Sequence, residues 1–284
     1  MGPVESRLQV CREALEAALS EALPDTVDLT ALRAARSAVL SPGKRIRPLL
    51  AILVAEHLGV PLERVLPAAV ALEMIHAASL VLDDLPCMDD AERRRGAPTL
   101  HRIYGEDIAL LAVIALVNGA YGVLAAASPA TDGQRAGWAQ ALARAVGPLG
   151  LIGGQERDLR GGEGATVEDI RHLHRRKTAV LFVAAAEMGA IAAEADEPTR
   201  MAAARFGEAL GLALQAFDDL ADAADAAEIA RGSNLLHRLD PAAAEAEARA
   251  RLTEASEALG AADRRLSQVA PYVELLLSRM VAAA

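Results

Sequence analysis

The sequence predicts an all-α fold, a single-domain helical bundle spanning residues 1–284, on three observations. Hydrophobic residues make up 53% of the 284-residue chain but aromatic ones only 2%, so a large core has to be filled by Ala, Leu and Val. The apolar segments are alanine-rich and poor in β-branched residues, which raises their helix propensity. No stretch carries the apolar/polar alternation of a half-buried strand.

Helical periodicity marks the elements in order. Segments 4–22, 29–39 and 45–58 come first, the last two separated by the turn residues Ser41-Pro42-Gly43. Pro61 opens the approach to 66–84, and Pro86 forbids its continuation. Segment 107–127 stops at Ser128-Pro129, and 134–146 follows. Gly161-Gly162-Glu163-Gly164 separates the next pair, 167–176 and 178–194. Pro198 suits the first turn of 197–223, and Asp240-Pro241 begins 241–259 before a final 261–283. Residues 223–234 are small, polar and poorly patterned, a mobile loop or lid by composition.

Composition excludes some functions. A net charge of −10 and a pI near 5.2 argue against a nucleic-acid surface, which needs positive charge. Cys11 and Cys87 have no metal-binding spacing, fitting a reducing, cytoplasmic setting without a disulfide. The uncharged run from Ile108 to Ala130 is long enough to cross a bilayer. Asn118, Gly119, Gly122, Ser128 and Pro129 dilute it, so a buried core helix is expected and no transmembrane segment.

Two acidic clusters carry the chemistry. Asp83, Asp84 and Asp89 follow one apolar helix, and Asp218, Asp219 and Asp222 end another. Negative charge at a helix C-terminus opposes the macrodipole, and Asp218 and Asp222 repel on one face. Bound Mg²⁺ reverses both penalties, and two carboxylate sets converging on shared ions suit a diphosphate. Only two of the 29 basic residues are lysine, Lys44 and Lys177, each inside a basic cluster. In a chain that avoids lysine, these positions need a compact ammonium. Arg93-Arg94-Arg95 places guanidinium forks beside the first cluster, and His76 lies two helical turns before Asp83.

These residues resemble those of the trans-prenyltransferases, the polyprenyl diphosphate synthases of the isoprenoid synthase fold. The resemblance rests on Gly43-Lys44-x-x-Arg47-Pro48, Ile75-His76, the first acidic motif, Arg94-Arg95-Gly96, Gly154-Gln155-x-x-Asp158, Lys177-Thr178 and Gln215 before the second acidic motif. It implies a transferase that joins an allylic diphosphate head-to-tail to isopentenyl diphosphate, working as a homodimer with three Mg²⁺ per active site. Carried over by position, Asp83, Asp84, Asp89 and Asp218, with Asp219 and Asp222 through waters, hold the metals. Arg94, Lys177, Thr178 and Gln215 grip the leaving diphosphate, while Lys44, Arg47, His76 and Arg95 take isopentenyl diphosphate. Asp83, Asp84, Lys177 and Asp218 are the catalytic expectation.

Five residues before Asp83, where farnesyl synthases of this family resemble one another in an aromatic plug, stands Ala78, followed by Ser79. With the two-residue insertion that includes Pro86, the pattern is most similar to bacterial geranylgeranyl diphosphate synthases that feed carotenoid pathways. One departure stands out: after the second acidic motif the family carries a further phosphate-binding lysine, whereas this chain offers only Arg231. Two alternatives remain open in the sequence: a terpene cyclase, disfavoured by the scarcity of aromatics, and a non-catalytic partner subunit, suggested by the altered loop.

Overall fold

The computed structural model describes the chain apart from residues 1, 25, 27, 162, 163, 224–228, 230, 231, 263, 264 and 282–284. The described residues form α1 (Pro3–Ala22), α2 (Thr30–Val39), α3 (Ile46–His57), α4 (Leu62–Asp83), α5 (Leu100–Tyr104), α6 (Glu106–Ala125), α7 (Asp132–Val146), α8 (Leu151–Arg160) and α9 (Val167–His174). Beyond them lie α10 (Val180–Ala192), α11 (Glu197–Ala221), α12 (Pro241–Ala262) and α13 (Ala270–Val281). The predicted all-α, single-domain fold is what the chain adopts.

Helix α4 forms the buried centre, packed by α3, α6 and α10, and α11 lies between α10 and α12. Alanine and glycine at these contacts let backbones approach closely, which is how a chain with few aromatics fills its core. Trp138, Phe182 and Phe206 are its largest fully buried side chains, and the Trp138 Nε1–H donates to the Met188 carbonyl at 2.9 Å.

The structure departs from the sequence reading in four places. Segments 167–176 and 178–194 are one continuous rod, joined through a π-helical turn at Arg175–Ala179. The local widening is tertiary in origin, and such turns gather at functional sites. Helices α5 and α8 have no counterpart in the sequence reading: the five residues of α5 are too few to show a helical period, and Gly153 and Gly154 weaken the propensity of α8. A two-residue antiparallel pair, Arg93–Arg94 with Ala97–Pro98, turns at Arg95 and Gly96, both with positive φ. Two residues per strand are too few to show alternation.

The fourth departure corrects the reading of 108–130 as a buried core helix. Helix α6 buries Ala109, Ala112, Val113, Leu116 and Ala120, yet Leu110, Leu111 and Ile114 stand 46%, 51% and 62% exposed. No described element covers that face. By length and composition both α4 and α6 suffice to cross a membrane; the apolar window of α4 is 67% buried in the fold and that of α6 33%. Cys11 is buried, Cys87 exposed, and both are free thiols.

Candidate active site

The two acidic clusters end α4 and α11. Asp83 is the last residue of α4 and Asp84 its C-cap; Asp89 lies in the turn beyond, its N–H donating to the Asp83 carbonyl at 2.9 Å. Asp218 and Asp219 occupy the last turn of α11, and Asp222 caps it.

Two cavities meet between them. The larger, about 540 Å³, is an apolar sleeve with a polar mouth formed by Arg47, His76, Asp83, Lys177 and Thr178. Its walls include Ala78, Ser79, Val117, Val146, Leu151 and Leu181. The smaller, about 110 Å³, is lined by Asp158, His174, Gln215, Asp219 and Asp222. Lys177 and Thr178 line both. The π-helical turn, through Lys177 and Thr178, therefore borders both the cavity that holds Asp83 and the one that holds Asp219 and Asp222.

Close packing sets this geometry. A Cβ on Gly154 would lie 2.8 Å from the Lys177 backbone nitrogen, so only glycine lets α8 lie against the turn. Helix α8 in turn brings Asp158 to an ion pair with the Lys177 ammonium. Burial works against that ammonium, but Asp83, Asp158 and Asp89 outweigh it and hold its pKa above the usual range. The sequence motif Gly154-Gln155-x-x-Asp158 includes Asp158 without giving it a role; the structure gives it one, as partner to one of only two lysines.

Burial pushes the Asp83 carboxyl up to about 6, against the pull of Lys177. Asp218 reaches solvent and lines neither cavity, yet its surroundings strip enough water to push it up to about 6, against Lys44 and Arg47. Both carboxylates thus lack sufficient compensating charge. Asp84, by contrast, is buried against Arg94, whose Nε–H donates to both its oxygens at 2.8 and 2.9 Å. Burial nevertheless leaves its pKa raised.

Asp219 is buried and fully engaged. One carboxylate oxygen accepts from Gln215 Nε2 at 2.9 Å and the other from the Leu235 N–H at 2.7 Å, with His174 Nε2 at 3.6 Å. Gln215 also accepts from the Thr178 hydroxyl at 2.6 Å. Of the 223–234 segment, the buried Asn234 donates to the Asp219 carbonyl at 3.2 Å, which anchors that end. Arg231, the only substitute for the missing lysine, lies outside the described residues.

Arg47 lines the apolar sleeve, its Nη1 3.4 Å from His76 Nε2. Burial, then the Arg47 charge, hold His76 well below its ordinary pKa, so its neutral ring accepts from Arg47. Lys44 is exposed and lines neither cavity, but is near enough for its charge to act on Asp218. Arg95 is exposed and donates to the Pro42 carbonyl at 2.6 Å.

The donor set fits Mg²⁺: the acidic clusters offer only hard oxygen ligands. Among the described residues no three His, Cys, Asp or Glu side chains form a self-sufficient cage. An ion that retains waters and takes phosphate oxygens does not need one.

Comparison with known proteins places this architecture. The polyprenyl synthetase family model matches residues 30–233. A geranylgeranyl diphosphate synthase from Pantoea ananas is 41% identical over 258 residues, covering 88% of this chain and 85% of that protein. One from Pseudescherichia vulneris is 38% identical over 274 residues, covering 93% and 87%. Among solved structures, an FPP/GFPP synthase from Zymomonas mobilis superposes with a TM-score of 0.83 at 32% identity, covering 95% of this chain and 98% of that one.

Proposed function

The chain belongs to the polyprenyl synthetase family, and on that footing we propose that it condenses isopentenyl diphosphate head-to-tail with an allylic diphosphate to give geranylgeranyl diphosphate. The observation that carries this reading is the placement of Lys177 and Thr178, which line both the apolar sleeve and the acidic cavity. A chargeable mouth there joins a leaving-group site to a dry channel for a hydrocarbon.

Asp83, Asp84, Asp89 and Asp218 would hold Mg²⁺, with Asp219 and Asp222 in support. Bound there, Mg²⁺ supplies the positive charge that stabilises a departing diphosphate. Arg94 and Lys177 start out neutralised by Asp84 and Asp158, and exchange those partners for the allylic diphosphate. Thr178 and Gln215 complete the grip. Lys44, Arg47, Arg95 and His76 hold isopentenyl diphosphate with its double bond toward the allylic carbon. The sleeve excludes water from the allylic cation until the double bond attacks it. A proton leaves the new cation for the released diphosphate.

Ala78 and Ser79 leave the sleeve open beyond Asp83, which supports a twenty-carbon product. The exposed Leu110, Leu111 and Ile114 support a homodimer through α6.

The test is incubation of the purified chain with Mg²⁺, isopentenyl diphosphate and, separately, dimethylallyl, geranyl or farnesyl diphosphate, followed by chain-length analysis. Geranylgeranyl diphosphate is expected, and Asp83→Ala should abolish it while the helical circular dichroism persists. No product from a folded chain with any primer would overturn the synthase reading in favour of a partner subunit. A cyclic hydrocarbon from a prenyl diphosphate alone would instead reveal a cyclase.

A further inference from the structure

Four successive backbone carbonyls ahead of α3 are each taken by an arginine side chain. Ser41 O accepts from Arg45 Nη2 at 2.9 Å, Pro42 O from Arg95 Nη1 at 2.6 Å, Gly43 O from Arg12 Nη1 at 2.9 Å, and Lys44 O from Arg12 Nη2 at 2.8 Å. The arginines are so close that a Cβ on Gly43 would stand 2.7 Å from Arg95 Nη1 and 3.3 Å from Arg45 Nη1.

Arg12 differs from the other two. It comes from α1, ahead of the residues matched by the family model. Its two hydrogen bonds fall on the peptide groups either side of one Cα, that of Lys44. A peptide group is planar, so holding both carbonyls holds both soft backbone torsions of Lys44 and hence the direction in which its side chain leaves the backbone. The next residue, Arg45, adopts the left-handed conformation at φ 53° and ψ 30°, which a non-glycine residue keeps only under external constraint. Its guanidinium supplies that constraint on the far side, bonded to Glu16 at 2.8 Å and Glu73 at 2.6 Å.

We propose that Arg12 is a positioning residue for isopentenyl diphosphate: its guanidinium fork fixes the backbone around Lys44 and so aims the Lys44 ammonium at the diphosphate. This rests on the assignment of Lys44 to that substrate. Two charge-assisted bonds to neutral carbonyls also draw off the partial negative charge that four carbonyls would otherwise offer beside an incoming anion.

The experiment compares R12Q, R12K and R36Q with the unmodified chain. Arg36 serves as control because it ties α2 to Ser20 and Leu23, near the end of α1, without touching 41–44. The readouts are KM for each substrate, kcat, and calorimetric Kd for isopentenyl diphosphate alone. R12Q is expected to raise KM and Kd for isopentenyl diphosphate about tenfold, the scale of one charge-assisted hydrogen bond. Its allylic KM should stay within about twofold, as should every constant of R36Q. R12K, which keeps a donor but not the fork, should fall between, and it stands in if R12Q fails to fold. Unchanged isopentenyl diphosphate binding in both Arg12 variants, an equal rise in both KM values, or the same rise in R36Q would overturn the proposal. An unmodified chain that binds isopentenyl diphosphate but does not turn over would sink the synthase reading alone, with the calorimetric comparison still deciding on Arg12. One that binds no isopentenyl diphosphate would overturn both.

Discussion

The Arg47 guanidinium lies over the ring of Phe182, 4.5 Å from its centroid. Burial draws Arg47 down to about 10 against the pull of Glu73 and Asp218, and its Nε has no hydrogen-bond partner, so the aromatic face adds to what those carboxylates supply. Phe182 is one of only three phenylalanines in the chain.

Replacing Phe182 with leucine should therefore loosen Arg47. A desolvated cation–π contact is worth about 2 kcal/mol, which predicts a rise of roughly 30-fold in KM for isopentenyl diphosphate. Phe182→Tyr, which keeps the aromatic face, should restore most of it. Steady-state kinetics decide, and equal constants for the leucine and tyrosine variants would refute the stacking role.

Metal-free stability should depend on Asp83 and Asp218, both shifted by burial from 3.8 to about 6. Between roughly pH 4 and 6 the folded chain holds protons that the unfolded chain releases, so their contribution makes stability fall as pH rises through that window. In EDTA, Asp83→Asn/Asp218→Asn should melt above the unmodified chain at pH 7, and that advantage should vanish near pH 4. Thermal melts at both values test this; a pH-independent difference would contradict it. Mg²⁺ should raise the melting temperature of the unmodified chain at pH 7 only.

Ala78 lines the sleeve one and a half turns before Asp83. Ala78→Phe should fill the channel beneath the mouth and shift the main product from twenty to fifteen carbons, with consumption of dimethylallyl diphosphate retained. Product chain-length analysis checks it, and an unaltered twenty-carbon product would mean that the chain runs along another wall.

Gly154→Ala would place a methyl group 2.8 Å from the Lys177 nitrogen and 3.0 Å from its Cα. Backbone cannot swing aside as a side chain does, so α8 must retreat, at about 1–3 kcal/mol of stability. The Asp158–Lys177 pair should separate and kcat should fall by more than the lost stability explains. A variant with native kcat would show that the turn tolerates the displacement.

Much of this is legible in the amino-acid sequence. Periodicity located the long helices because each buries its own apolar face, a property of neighbouring residues. Pro86 was enough to end α4 and push Asp89 beyond it. The scarcity of lysine singled out Lys44 and Lys177, and ordered motifs named the family.

What local pattern leaves open is which of several charges a side chain meets. The pairing of Asp84 with Arg94, of Asp158 with Lys177 and of Arg47 with Phe182 depends on how α4, α8 and α10 pack, and the π-helical turn exists only in that packing. The same holds for α6, whose composition fits a core while its outer face stays uncovered. The amino-acid sequence determined the long helices, the acidic motifs and the family; only tertiary structure decided which carboxylates are neutralised and which stand ready for a cation, because that follows from desolvation and distance across the bundle.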